Sequence, residues 1–148
     1  MHIQFVPDPD AKDVTVVIHG RPDDPAVARL QELLTPRPAT ITCYKRGVEF
    51  YLPLTEVLFI ETEARQLQVH TATEIYTSKR TLHETLADLP HNFLQIAKST
   101  VVNLDQIAAV NRSLSNCEVA FHRSHKQVFA SRRNYKQLLE RLDEMRNA

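Results

Sequence analysis

Glycine is scarce: 148 residues hold only Gly20 and Gly47. A Walker A loop and a dinucleotide fingerprint each need several glycines so that backbone amides can approach phosphate, and both are excluded. Cysteine is equally sparse. Cys43 and Cys117 are too few for a disulfide framework, and two reduced thiols suit a cytosolic chain. No apolar run approaches the ~18 to 20 residues that span a bilayer. The opening MHIQFVPDPD lacks the basic, apolar, small-residue order of a secretory signal, so the expected location is cytoplasmic. Net charge is absent as well, with 18 Lys and Arg against 18 Asp and Glu.

Segregated charge is what the sequence does have. Residues 93–136 hold 7 basic against 2 acidic side chains, while residues 1–42 hold 4 against 6 and residues 43–92 hold 5 against 7. A local positive potential suits an anionic partner. Solvated strand edges, where lysine is common, account for the same residues equally well. A composition of 43% hydrophobic and 24% charged residues is that of a globular chain with one good core or two small ones.

The expected organisation is a small strand-strand-helix unit over residues 1–42, then a mainly β domain over residues 43–148. In the first, HIQFV and DVTVVIHG are strand-like, and RPDDPAVARLQELLTP sets Val27, Leu30, Leu33 and Leu34 on one helical face. TPRPAT has the composition of a linker. In the second, ITCYKRGVEFYLP predicts two strands joined at Arg46-Gly47, and LTEVLFIETEARQLQVHTATEIYTSKR predicts three more, turning near 63–66 and 71–74. Thr81 and Glu84 form a capping-box pattern for a short helix that Pro90 ends. FLQIAKSTVVN is a strand pair or a strand and turn, LDQIAAVNRS continues extended, and CEVAFHRSHKQVFASRR is a hairpin turning at 123–125. NYKQLLERLDEMRN is an amphipathic C-terminal helix.

Three chemistries compete for the polar residues. Cys117, His122 and His125, with His70 and Cys43 behind them, contain metal-ligating types but not the paired spacing of zinc sites; a buried cysteine beside exposed histidines is the simpler reading. Ser99 next to Lys98 suggests a nucleophile and its activator, but neighbours on a strand point to opposite faces. Glu61 and Glu63 share a face if both lie within a strand, and the pair is lost if Glu63 belongs to the turn. The third possibility is nucleic-acid binding through Lys98, Ser99, Arg65 and the SRRNYK segment, with cations for phosphate and arginine for guanine edges. From residues alone, a DNA- or RNA-binding β module and a protein-interaction module both remain open. No enzyme, cofactor, metal or small-molecule substrate is expected.

Four stretches carry a resemblance: EVLFIETEARQLQVHT, EIYTSKRTLHETL, FLQIAKSTVVNLDQIAAV and VFASRRNYKQLLERL. In that order, over about residues 43–148, the chain resembles the LytTR-type DNA-binding domain of bacterial transcriptional regulators. The resemblance implies an elongated set of short antiparallel sheets (α+β overall), with a short internal helix and a C-terminal helix. It implies loops that enter successive major grooves of double-stranded DNA, without a recognition helix. Lys98 and Ser99, Arg133 with Arg132 and Ser131, and Arg65 in the first hairpin loop are the DNA-contacting positions it implies. Asn103 matches the family's Val-Asn pair and is expected to shape a turn. Gln95 and Ala97 stand where many members have Arg and His, so part of the usual basic surface is missing. Residues 1–42 do not resemble a phosphorylated receiver domain. They are similar to the extension of stand-alone LytTR regulators, some of which are encoded beside small membrane proteins. A transcriptional regulator acting as a homodimer on promoter repeats follows, controlled by dimerisation or by a membrane-protein partner. The alternative is a module that sequesters another regulator through its N-terminal extension.

Overall fold

The computed structural model describes residues 1–34, 39–113 and 116–146. The chain divides into two compact units, residues 1–37 and 38–148. Residues 35–38 of the expected linker lie outside the described residues.

The first unit holds one helix, α1 (Pro25–Leu34). Asp24 starts it: its carboxylate accepts from the Ala26 amide at 2.9 Å, and Pro25 follows where a missing N–H costs nothing. The two expected strands do not form, since the described residues 1–24 contain no ladder. A strand needs a partner edge and apolar cover, and this unit buries no residue of α1, while Phe5 is 85% and Val14 87% exposed. The β-branched alternation of DVTVVIHG is strand propensity without a partner.

The second unit is antiparallel β with helices at its margins. The expected hairpins form: β1 (Thr40–Lys45) with β2 (Val48–Pro53), β3 (Phe59–Glu63) with β4 (Gln66–His70), β6 (Phe93–Ala97) with β7 (Thr100–Asn103), and β9 (Cys117–Phe121) with β10 (Gln127–Ala130). β1 begins at Thr40 and so crosses the boundary expected after residue 42. Both central residues of two of the turns are left-handed, Arg46 and Gly47 (φ 52° and 77°) and Ala64 and Arg65 (φ 51° and 66°). That geometry makes type I′ turns whose twist matches the flanking strands.

With β5 (Ile75–Ser78) and β8 (Ile107–Arg112), the strands form a seven-stranded sheet ordered β2-β1-β5-β4-β3-β7-β6 and a three-stranded sheet ordered β10-β9-β8. Alternate residues of the large sheet feed two cores. Phe59, Leu94, Ile96 and Val102 meet Val119, Phe121 and Val128 of the small sheet and Leu138 of α3 (Tyr135–Arg146). Ile60, Val101, Phe93 and Val69 face the other way, where Leu82, Leu86 and Leu89 in and just after α2 (Leu82–Asp88) cover them. In α2 the Thr81 hydroxyl accepts from the Glu84 amide at 3.1 Å, as the capping-box pattern predicts.

Asn103 fastens the end of β7. It is 1% exposed, and its side-chain amide donates to the carbonyls of Val57 (2.9 Å) and Leu54 (3.3 Å). Its Oδ1 accepts from the amide of Asp105 and the side chain of Asn92, both at 3.1 Å. The structural role expected for it is thus larger than shaping one turn.

Candidate nucleic-acid interface

FLQIAKSTVVN is a hairpin: β6 and β7 are buried on both faces of the sheet, and Lys98 and Ser99 form the exposed turn between them. A register shift between Gln95 and Ala97 loosens the ladder just before this turn. The Gln95 side chain donates to the Lys98 carbonyl at 3.2 Å and so braces the turn.

Two backbone hydrogen bonds tie this turn to the other candidate segments. The Thr62 amide donates to the Ser99 carbonyl at 2.9 Å, joining the end of β3 to the β6–β7 turn. The Ser131 amide donates to the Ile96 carbonyl at 2.8 Å, docking the segment before α3 against the outer edge of β6. Ser131 then caps its own turn, accepting at its carbonyl from the amides of Asn134 (3.0 Å) and Tyr135 (2.9 Å). Arg132 and Arg133 are exposed in that turn, and Arg65 is exposed at the tip of the β3–β4 hairpin. The six candidate residues thus lie on three segments whose backbones are connected.

Their cations are also unspent. Among the described residues, Arg65, Lys98, Arg132 and Arg133 are in no ion pair, whereas Arg80 pairs with Asp88 at 2.7 Å and Lys45 pairs with Glu74. A groove of about 520 Å³ beside the β3–β4 turn is lined by Arg65, Gln66 and Thr62 and, across it, by Lys79 and Thr81. Lys79 was not singled out from the sequence. The Lys79 ammonium sits 4.4 Å from the centre of the Tyr44 ring, which holds the charge at the groove without neutralising it. The clue in the sequence was the Lys-Arg pair closing EIYTSKR.

The rival chemistries end up elsewhere. Cys43 and Cys117 belong to different cores, and burial pushes the Cys43 thiol up to about 11 and raises that of Cys117. His122 and His125 are exposed. Among the described residues no three His, Cys, Asp or Glu side chains are placed to hold a metal ion. Glu63 is the last residue of β3, so it does share a face with Glu61; burial, and then the Glu63 charge, raise the Glu61 carboxyl above the usual range.

Glu61 is engaged with His70. The imidazole is 6% exposed and stacks on Phe59 at 4.2 Å; its Nε2 lies 3.1 Å from Glu61 Oε1 and its Nδ1 lies 3.4 Å from Lys126 Nζ. A neutral ring satisfies both, donating from Nε2 to the carboxylate and accepting at Nδ1 from the ammonium. Protonation would set a second N–H against Lys126. Burial, and then the Lys126 charge, accordingly lower the His70 pKa to about 4, so the close Glu61 contact is a hydrogen bond to a neutral imidazole. The cluster links the β3–β4 hairpin to the segment before β10.

Comparison with known proteins settles the family. The model of the LytTr DNA-binding domain matches residues 49–143. The chain belongs to the LytTR family. A LytTr DNA-binding domain of known structure from Bacillus cereus superposes with a TM-score of 0.63 at 21% identity, covering 68% of this chain and 96% of that one. That likeness establishes the LytTR fold, mostly antiparallel β sheet with three helices. Comparison with curated proteins gives no match. DNA is therefore the partner of this LytTR domain. No described helix is long and apolar enough to cross a membrane.

Proposed function

We propose that the chain is a sequence-specific transcriptional regulator that works in the cytoplasm and reads the major groove of double-stranded DNA with turns, not a helix. The observation that carries the reading is the pair of backbone ties, Thr62 to Ser99 and Ser131 to Ile96, which hold three cation-bearing turns in fixed relation. Lys98 contacts phosphate from the β6–β7 turn, with Ser99 donating beside it. Arg133 presents a planar, two-pronged donor suited to guanine O6 and N7, supported by Arg132 and Ser131. Arg65, with Lys79 across the groove, follows the backbone of the neighbouring groove.

The protein acts as a homodimer on repeated half-sites. Residues 1–37 are its contact with a regulatory partner, a membrane protein among the candidates: most of the large apolar side chains described there, Phe5, Val14 and Leu33 among them, are exposed, and its strand-prone stretches have no partner within it. Selection of bound duplexes from a random library tests the main reading. A recovered motif with two copies of one half-site supports it, and recovery of unrelated sequences contradicts it. The same unpaired N-terminal stretches favour the second reading, a module that sequesters another regulator; a partner captured only by the chain with residues 1–37 present, together with absence of duplex binding, would establish that instead.

A further inference from the structure

Strand β2 is an outer edge of the seven-stranded sheet, and it carries little that keeps an edge strand single. Its six residues include no lysine and no proline before the last position. Val48 is 54% and Tyr51 67% exposed. The opposite edge, β6, is engaged by Ser131.

Backbone parity on β2 selects the partner. The type I′ turn at Arg46–Gly47 makes Lys45 and Val48 a hydrogen-bonded pair, so Phe50 opposite Cys43 and Leu52 opposite Ile41 are hydrogen-bonded pairs too. The bond from the Leu54 amide to the Ala39 carbonyl, at 3.0 Å, continues that series. The amides and carbonyls of Glu49 and Tyr51 therefore point away from β1. Two outward-facing residues on either side of Phe50 make a self-complementary set. When two β2 strands pair antiparallel about Phe50, Glu49 lies opposite Tyr51 of the second copy on both sides of the axis, and four backbone hydrogen bonds form.

Side chains select the same register. The Glu49 carboxylate already accepts from the hydroxyls of Tyr44 and Tyr51, each at 3.2 Å, and in this register it meets a further phenol. Centring the pair on Glu49 would oppose two carboxylates. Centring it on Tyr51 would set Glu49 against Pro53, which has no N–H to donate. Phe50 packs edge-on against Tyr76 at 5.2 Å, which holds its ring on the face where it meets its symmetry mate.

We infer that β2 is the self-association edge of the protein: two copies pair antiparallel through it, with the two-fold axis at Phe50. This rests on the homodimer reading above and gives it a surface within the DNA-binding domain. Cysteine cross-linking of the full chain tests it. Residues paired across such an axis without mutual hydrogen bonds lie ~4.5 Å apart at Cα, within disulfide range; because Cys43 lies opposite Phe50 on β1 and could bridge to a cysteine there within one copy, both variants are made in a Cys43→Ala background, where the remaining Cys117 is buried. Phe50→Cys is expected to give a disulfide-linked dimer under mild oxidation, and Val48→Cys, which faces Leu52 of the second copy, to give none. In sedimentation equilibrium the wild type is expected to be dimeric and Glu49→Lys monomeric, with an unchanged circular dichroism spectrum. A dimeric wild type whose Phe50→Cys links no faster than Val48→Cys, and whose Glu49→Lys stays dimeric, overturns the edge while leaving the dimer. A wild type monomeric both free and on a duplex overturns both.

Discussion

The Thr62 amide, at the solvent end of β3, donates to the carbonyl of Ser99 in the next hairpin at 2.9 Å. Although the Thr62 side chain is exposed, its N–H belongs to the sheet. The consequence is that the β6–β7 turn cannot move independently of the β3–β4 hairpin. Hydrogen exchange should therefore find the Thr62 and Ser131 amides protected at least ~10-fold more than the Arg65 amide at the hairpin tip. Equal exchange at all three would mean that the turns are not held in register.

Asn103 donates to two buried carbonyls and receives two donors, so removing its side chain takes the side-chain donor from the Val57 carbonyl and leaves the Leu54 carbonyl with only the Val57 amide. Asn103→Ala should destabilise the domain by about 2 to 4 kcal/mol, read from denaturant midpoints at unchanged m. Gln95→Ala removes only a brace on the exposed turn and should cost less than about 1 kcal/mol.

Acid stability should carry the signature of His70. Its pKa falls from 6.5 in the unfolded chain to about 4 in the folded one. The folded state therefore binds fewer protons between those values, so the contribution of neutral His70 is complete above pH 6.5 and is lost as the pH falls towards 4. Glu61, whose pKa is raised, opposes part of this at the acid end. Melting temperature should drop across that window by an amount corresponding to about 2 to 3 kcal/mol, and His70→Gln should flatten the profile. A wild-type profile as flat as the variant's would show that the imidazole is not held neutral.

The fold was legible where local chemistry and tertiary pairing agree. Gly47 after Arg46 marked the junction of two strands, Thr81 with Glu84 marked the start of α2, and FLQIAKSTVVN offered a strand pair or a strand and turn, of which the pair formed. It was not legible in DVTVVIHG, where β-branched residues state a preference but nothing in the sequence says whether an edge will be available to pair with. The candidate site was half legible. Lys98 and the Arg132–Arg133 pair are local signals, but Lys79 faces Arg65 only because β4 pairs with β5. That Gln95 braces the turn was not legible at all.

Residues 1–37 form a compact unit in which most of the described large apolar side chains are exposed. Deleting them should leave the melting transition of the LytTR domain within about 0.5 kcal/mol of the full chain and leave duplex affinity within about 3-fold, while abolishing capture of a regulatory partner. A deleted chain that loses duplex affinity would place the N-terminal unit in the DNA-binding machinery.

Whether the three tied turns bind duplex DNA through their unpaired cations is decided by the salt dependence of duplex affinity. Fluorescence anisotropy on a selected duplex should show log K falling linearly with log salt concentration, by about 0.9 for each phosphate neutralised. Lys98→Ala should weaken binding on all sequences and reduce that slope by about 1, whereas Arg133→Ala should cost about 1 to 3 kcal/mol and relax preference at one base position. Binding insensitive to salt, or unchanged in both variants, would show that these turns do not hold the DNA.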